Sequence, residues 1–507
     1  MTTSLSKAGV ATDTEWRRLS PRMLLVHPVI ELGKAVPALL GLFVAGSSTG
    51  LGSVWGAVGA GVVIVFGLLR WVTTRFRITP EQVQLRRGVL RRTAIAAPLD
   101  RVRTVDVTAH LLHRVLGLAK VVVGTGTSDR KGGDRLVLDG LSADAAGRLR
   151  AELLHRGQHP ETVDAASPSA PVEREIVRLN PAWVRYAPFT LSGALTGLAL
   201  LGFAWRLSSE AHVNPGRIGP LREIGDQLGR TSIALDIAAI AVFVGAFVAV
   251  ASTIGYVLAF WDFRLTRHSG GTLHVTRGLI TSRATSIESR RLRGVEISEA
   301  LLLRSVGGAR CLAIATGLRV GRGAERGGEL LLPPAPRSEA VRVGAAVLDT
   351  VVPLVVALRT HGAVARRRRV IRAVAGAVVL VAVIGVVAWL AGAPRYVWLS
   401  SLLLPVLAVP LGVDRYRSLG HALSDGYVVA SFGSLVRRRS AISCAGIIGW
   451  NLKSTFFQRR IGLTTLTATT AAGKQSYRIY DVAETDAVNF AEQAVPGLIS
   501  QFAQFVR

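Results

Sequence analysis

Runs without charge punctuate the chain. Residues 53–69, 186–205, 237–261, 373–394 and 396–413 contain no Asp, Glu, Lys or Arg. Each is near or above the roughly 17–25 apolar residues that a spanning helix needs. A sixth run, 28–46, holds Glu31 and Lys34 near its start. No charge occurs from Ala35 to Leu69, and Gly46-Ser47-Ser48-Thr49-Gly50 breaks that stretch into two spans and a tight turn. A short apolar run can also be a buried core helix, but the length of 237–261 argues against that there. The pattern predicts six spans in three helical hairpins, each followed by a long polar segment.

The polar segments repeat one another. Gly88-Val89-Leu90 is followed by Val105 and then by Arg114-Val115-Leu116-Gly117. Gly278-Leu279-Ile280 is followed by Val295 and then by Arg304-Ser305-Val306-Gly307. Gly433-Ser434-Leu435 is followed by Trp450 and then by Arg459-Arg460-Ile461-Gly462. The two glycines stand 29 residues apart in every copy, and an Arg always precedes the second by three. An equal interval in three copies marks an internal repeat. The signature residues Gly88, Arg114, Gly117, Gly278, Arg304, Gly307, Gly433, Arg459 and Gly462 read as structural. Each Arg is expected to fix the turn before a strand, and each Gly to supply backbone freedom there.

Local chemistry inside the repeats is β. Phe76-Arg77-Ile78-Thr79 and Phe263-Arg264-Leu265-Thr266 alternate as short strands, and Gln82–Arg86 alternates into the turn at Arg87-Gly88. Lys120–Thr125, Ala313–Thr316 and Leu463–Thr467 are the strands after the second glycine. Each copy then turns helical, from Ser142 with a plausible N-cap, from Ser338, and over 484–506. Short strands with one closing helix predict a small β-sandwich or barrel plugged by that helix.

These features resemble the bacterial pleckstrin-homology-like (PH-like) domain family of the YdbS/YdbT type, formerly a domain of unknown function. The likeness rests on the aromatic-Arg-aliphatic-Thr strand, the Gly-aliphatic turn and the Arg-x-aliphatic-Gly before the next strand. Arg18-Leu19-Ser20-Pro21 and Arg178-Leu179-Asn180-Pro181 add the motif that precedes a hairpin. In the third copy Tyr416-Arg417-Ser418-Leu419 lacks the Thr, and no Arg-Leu-x-Pro stands before its hairpin. The resemblance covers nearly the whole chain and implies an α+β membrane protein. Six transmembrane helices in three hairpins would each lead into a cytoplasmic PH-like domain with a C-terminal helix. The expected boundaries are an N-terminal segment 1–27, hairpin 28–72, domain 73–157, linker 158–185 and hairpin 186–261 with an external loop 207–231. Domain 262–360, hairpin 370–413 and domain 414–507 follow. The family carries no general biochemical activity.

Composition sharpens the membrane reading. Half of the 507 residues are hydrophobic, 19% are charged, and 61 Lys and Arg against 33 Asp and Glu leave a net charge of +28. Mean hydropathy is +0.39. Nucleic-acid binding would account for the charge but not for the apolar runs, so no nucleic acid is expected. Arg17, Arg18, Arg22, Arg70, Arg75 and Arg77 flank the first hairpin, while 366–369, Arg415 and Arg417 flank the third. The hairpin tips hold less positive charge, which predicts cytoplasmic termini and polar segments in a bacterial plasma membrane. Residues 1–19 hold no apolar core, so a cleavable signal peptide is not expected. Two cysteines, Cys311 and Cys444, exclude a disulfide scaffold.

No catalytic, cofactor or metal motif emerges. Ala472-Gly473-Lys474-Gln475 lacks the Ser or Thr of a phosphate loop, and Gly124-Thr125-Gly126 lacks a third Gly. His110 and His113 recur in neither other copy. Asp236 lies close to the outer end of its span. The remaining candidates are Arg clusters: Arg86, Arg87, Arg91 and Arg92, then Arg290, Arg291 and Arg293, then Arg437, Arg438 and Arg439. They are expected either to contact anionic lipid head groups or to form a solvated positive face. The expected function is non-enzymatic: an interaction or assembly platform, in envelope stress or defence. Its partners would be membrane lipid and a protein, either a smaller PH-like membrane protein or a second copy. A transporter or channel with PH-like regulatory domains is the alternative.

Overall fold

The computed structural model describes residues 16–24, 72–79, 81–88, 93–98, 104–124, 136–147, 173–210, 233–268, 271–317, 329–392 and 394–499, with isolated positions among 26, 54–69 and 149. Most of the first expected hairpin, most of the loop 207–231, and Arg91 and Arg92 lie outside them.

The first repeat contributes β1 (Arg17–Arg18), β2 (Arg75–Ile78), β3 (Gln82–Arg87) and β4 (Thr93–Pro98). It continues with β5 (Thr104–Ala109), α1 (Leu111–Val115), β6 (Leu118–Gly124) and β7 (Leu136–Ser142). Helix follows β7 at 143–147, where the Ser142 hydroxyl accepts from the Ala145 N–H at 3.3 Å as the expected N-cap.

The second repeat opens with β8 (Arg174–Arg178), a 3-10 segment (Pro181–Phe189), α2 (Leu191–Glu210) and α3 (Ile233–Phe260). Then come β9 (Arg264–Arg267), β10 (Thr272–Arg277), β11 (Ser282–Glu288) and β12 (Leu292–Ala300). It closes with α4 (Leu301–Ser305), β13 (Gly308–Ala315), β14 (Leu330–Pro336), α5 (Arg337–Leu348) and α6 (Val352–Val355).

The third repeat holds α7 (Gly362–Leu390), α8 (Arg395–Ser401), α9 (Leu403–Arg417), β15 (Gly420–Ser424), β16 (Tyr427–Phe432) and β17 (Val436–Ser443). After them lie β18 (Ile447–Lys453), α10 (Phe456–Arg459), β19 (Leu463–Thr470), β20 (Ser476–Ala483) and α11 (Glu484–Ala494).

Three segments differ from the sequence expectation. The span expected at 186–205 starts at Leu191 instead. Upstream of it the 3-10 segment packs Ala187 against Tyr256, Phe260 and Leu330, and the chain bends by 64°. The third copy's first strand starts at Gly420, because Tyr416 and Arg417 still belong to α9. The final helix stops at Ala494 rather than at 506, and Val495 is extended before Pro496, whose ring disfavours helix at the residue before it.

Contacts divide the chain into two units, 1–173 with 268–287 and 174–267 with 288–507. In the first unit β1-β2-β3-β4 form one antiparallel sheet. A second sheet runs β7-β6-β5-β11, so a strand of the second repeat lies against the first repeat. Val83, Leu85, Val121 and Leu138 are buried in the core between these sheets. In the second unit the sheet order is β14-β13-β12-β17-β16-β15, so a strand of the third repeat lies against the second. A three-stranded sheet, β18-β19-β20, completes that unit over a core that includes Ile442, Leu466, Ile479 and Phe490. Strand sharing thus joins successive repeats within each unit.

Strands far apart in the chain pair around the segments between them. Arg17 opposes Phe76 and Arg178 opposes Arg264. In the third repeat, which lacks the Arg-Leu-x-Pro motif, the single bridge Arg359–His421 takes that place. Among the described residues, three helices are long and apolar enough to cross a membrane: Leu235–Phe260, Gly362–Leu390 and Trp398–Arg417. The bent pair Pro181–Phe189 and Gly193–Phe203 is a fourth if it crosses as one span. Helices α2 and α3 touch at Gly197, where a Cβ would meet the Val248 Cα at 3.0 Å. Helices α7 and α9 touch at Gly412, where a Cβ would meet the Val370 Cα at 2.8 Å. Asp236 sits in the first turn of α3, where the helix N-terminus favours a negative charge.

Candidate membrane and interaction surface

The signature glycines have local causes. Gly278 and Gly433 both have φ near +107°, and a Cβ there would lie 2.1 Å from the Thr281 carbonyl and 2.0 Å from the Val436 carbonyl. Only glycine closes that turn. Gly117, Gly307 and Gly462 have φ of +66°, +71° and +64°, the left-handed conformation that ends a short helix. Gly88 holds positive φ as well, at +129°.

The signature arginines reach beyond their own turns. Arg114 donates to the Leu279 carbonyl at 2.7 Å, inside the glycine turn of the next repeat. Arg304 donates to both oxygens of Asp414 at 3.0 Å, at the end of α9. Arg459 is exposed, and among the described residues no partner holds its guanidinium. Two of the three arginines therefore tie one repeat to the following one.

Most members of the described Arg clusters have partners within the protein. Arg437 joins Asp414 at 3.2 Å, Arg438 lies 3.7 Å from Glu296, and Arg439 donates to the carbonyls of Pro353 and Val356. Arg291 pairs with Glu288 at 3.0 Å, and the stem of Arg293 packs on Gly446. Arg86 is exposed and stacks over Trp16 at 4.3 Å, and Arg290 is exposed. Of Arg87 the strand position is described, opposite Thr93.

Charge is also buried where the sequence did not advertise it. Glu296, in β12, accepts from the Lys474 ammonium with both oxygens at 2.7 Å and from the Ser440 hydroxyl at 3.1 Å. Lys474 is the lysine of the phosphate-loop-like tetrapeptide, and it is spent on this ion pair. Burial pushes the neighbouring Glu329 up to about 7, with Glu296 adding to the rise and Lys474 opposing it. Asp481, fully buried, pairs with Arg368 and Arg369 in the first turns of α7 and accepts from Gln458 at 2.8 Å. His361 and His421 meet at 2.9 Å. Burial lowers both, His421 to about 4.

His110 and His113 go to separate partners, Thr281 at 3.0 Å and Asp139 at 3.2 Å. Among the described residues no group of three or more His, Cys, Asp or Glu could hold a metal.

Sequence reasoning missed one recurrent feature. Leu111-Leu112, Leu301-Leu302 and Phe456-Phe457 open the short helices α1, α4 and α10, and all six side chains are exposed. An apolar pair six residues before the second glycine of every copy was the available signal. In the second repeat this apolar tip lies on the same short helix as Arg304, and Arg304 holds the foot of α9.

A family model described as Bacterial PH domain matches residues 32–157 and 360–493, together about half of the chain. The middle repeat, outside both matches, has the same order of strands and short helix. The chain is also similar to a transmembrane protein, YdbT, of Bacillus subtilis (strain 168), with 21% identity over 269 residues. That alignment covers 50% of this chain and 52% of YdbT, so the chain spans about half the length of this curated relative. No solved structure matches. With two matched copies, the glycine turns and the strand order in agreement, the chain belongs to the bacterial PH domain family.

Proposed function

We propose that this membrane protein is a non-enzymatic assembly platform of a bacterial plasma membrane. In this reading six spans form three hairpins, and both termini and three PH-like domains face the cytoplasm. The observation that carries the reading is strand sharing: β5 pairs with β11 and β12 with β17, so each repeat lends a strand to its neighbour. Ion pairs at the helix feet, Asp414 with Arg304 and Asp481 with Arg369, support a frame held firmly against the membrane. The apolar pairs on α1, α4 and α10, together with exposed Arg86 and Arg290, support contact with an anionic lipid surface. Each cation near such a surface is worth about 1 kcal/mol.

The test is the full-length chain in liposomes. The platform reading expects solute and ion gradients to decay no faster than in empty vesicles. Gradient collapse that depends on the protein would replace it with a transporter or channel. Reporter fusions at residues 130 and 320 should be cytoplasmic.

A further inference from the structure

The two internal strand pairings share one register. Ala109, eight residues before Gly117, opposes Ser282, four after Gly278. Glu299, eight before Gly307, opposes Arg437, four after Gly433. The same antiparallel joint is thus built twice, between the first strand of one repeat's second sheet and the last strand of the next repeat's first sheet.

Two further edges of the same kind carry no such partner among the described residues. β18 is the third-repeat counterpart of β5 and β12, and it terminates its sheet. β4 is the first-repeat counterpart of β11 and β17, and it terminates the other. Among the described residues no strand pairs with the outer edge of either. An open edge with free N–H and C=O groups is a template for another chain.

We propose that β18 of one copy pairs with β4 of a second copy of this chain, head to tail, in the register of the internal joints. This rests on the platform reading and names its partner. The shared register sets Lys453 opposite Thr93 and Asn451 opposite Ile95. The faces agree. Trp450 and Leu452 pack on the third-repeat core, and their opposites Ala96 and Ala94 are exposed. Ile95 packs on the first-repeat core, and its opposite Asn451 is exposed.

Two further residues fit the joint. At Gly294 of β12 a Cβ would lie 1.9 Å from the Ala441 carbonyl of the paired strand. Gly449 holds the same place in β18, yet nothing lies within 4 Å of it. Arg459 stands where Arg114 crosses to the glycine turn of the following repeat, and in the second copy that turn is the one at Gly88. A joint between unlike edges is heterologous, so it builds rings or open chains rather than two-fold dimers.

The test uses full-length protein in isolated membranes, with Cys311→Ala and Cys444→Ala as background. One tagged chain carries Thr93→Cys, and a differently tagged chain carries Lys453→Cys. On oxidation the mixed product should exceed either self-product at least ten-fold. A chain carrying both cysteines should give a ladder of multiples. Lys453→Cys with Ile95→Cys, two residues out of register, should link at least ten-fold less. Equal linking in and out of register, a link only within one chain, or no link overturns the pairing. If the background variant fails to fold, the mass of the wild-type chain in lipid nanodiscs decides, with a single chain overturning the proposal. Loss of the pairing leaves the platform reading standing, since that reading is decided by the liposome gradients.

Discussion

Arg304 grips both carboxylate oxygens of Asp414, and Arg437 shares one of them at 3.2 Å. Two arginines from different repeats thus converge on one acid at the foot of α9. Removing the acid leaves two cations facing each other, half-buried. Asp414→Ala should lower stability by about 1–3 kcal/mol, the cost of groups left without their partner. Arg437→Gln should cost less, because Arg304 keeps its two bonds. Thermal unfolding in mild detergent checks the order.

Asp481 carries the larger penalty. It is fully buried, whereas Asp414 is one-quarter exposed. Breaking a buried pair from one side costs about 3–5 kcal/mol, since the remaining charges stay desolvated. Asp481→Ala should therefore unfold at a distinctly lower temperature than Asp414→Ala. It should also expose the start of α7 to proteolysis around Arg368 and Arg369.

The repeats were legible because their glycines answer to local geometry. Gly278 closes a turn against the Thr281 carbonyl, and such a need shows in any sequence that makes the turn. Strand sharing was not legible. Which edge β11 adopts depends on chain brought from a distant repeat, and alternation within Ser282–Glu288 carries no sign of it. The Arg437, Arg438 and Arg439 cluster raised the expectation of lipid contact for a related reason. Charge is visible in sequence, but the partners Asp414 and Glu296 come from other elements. Asp481 was invisible as a buried acid because nothing in Tyr480-Asp481-Val482 marks it from an exposed one.

Glu329 makes a pH dependence of one sign. Burial raises its carboxyl from 4.5 to about 7, with Glu296 adding to the rise. The folded chain thus holds a proton that the unfolded chain has released between these values. Its contribution to stability is fully present below pH 4.5 and is lost as pH rises through 7. Glu329→Gln should be the more stable protein at pH 8 and should match wild type near pH 4.5. Unfolding midpoints measured at both values test this.

His421 makes a dependence of the opposite sense. Its ring is buried against Phe490 and meets His361, with Arg359 and Asp486 nearby. Burial is the main cause of its fall to about 4, and His361 and Arg359 lower it further while Asp486 opposes them. An unfolded histidine takes its proton near 6.5, so between 6.5 and 4 the unfolded chain binds more protons than the folded one. Stability from the neutral pair is fully present above pH 6.5 and is lost as pH falls toward 4. The His361 Nδ1–H donates to the Tyr480 carbonyl, so its Nε2 accepts from the His421 Nδ1–H, and protonating His421 adds a buried Nε2–H that no described group accepts. His421→Phe should keep packing against Phe490 while removing that acid-side loss. Its unfolding temperature should vary less between pH 7 and pH 5 than that of the wild type. An unchanged slope would mean that His421 takes its proton at the same pH in both states, and that the acid sensitivity of the protein lies elsewhere.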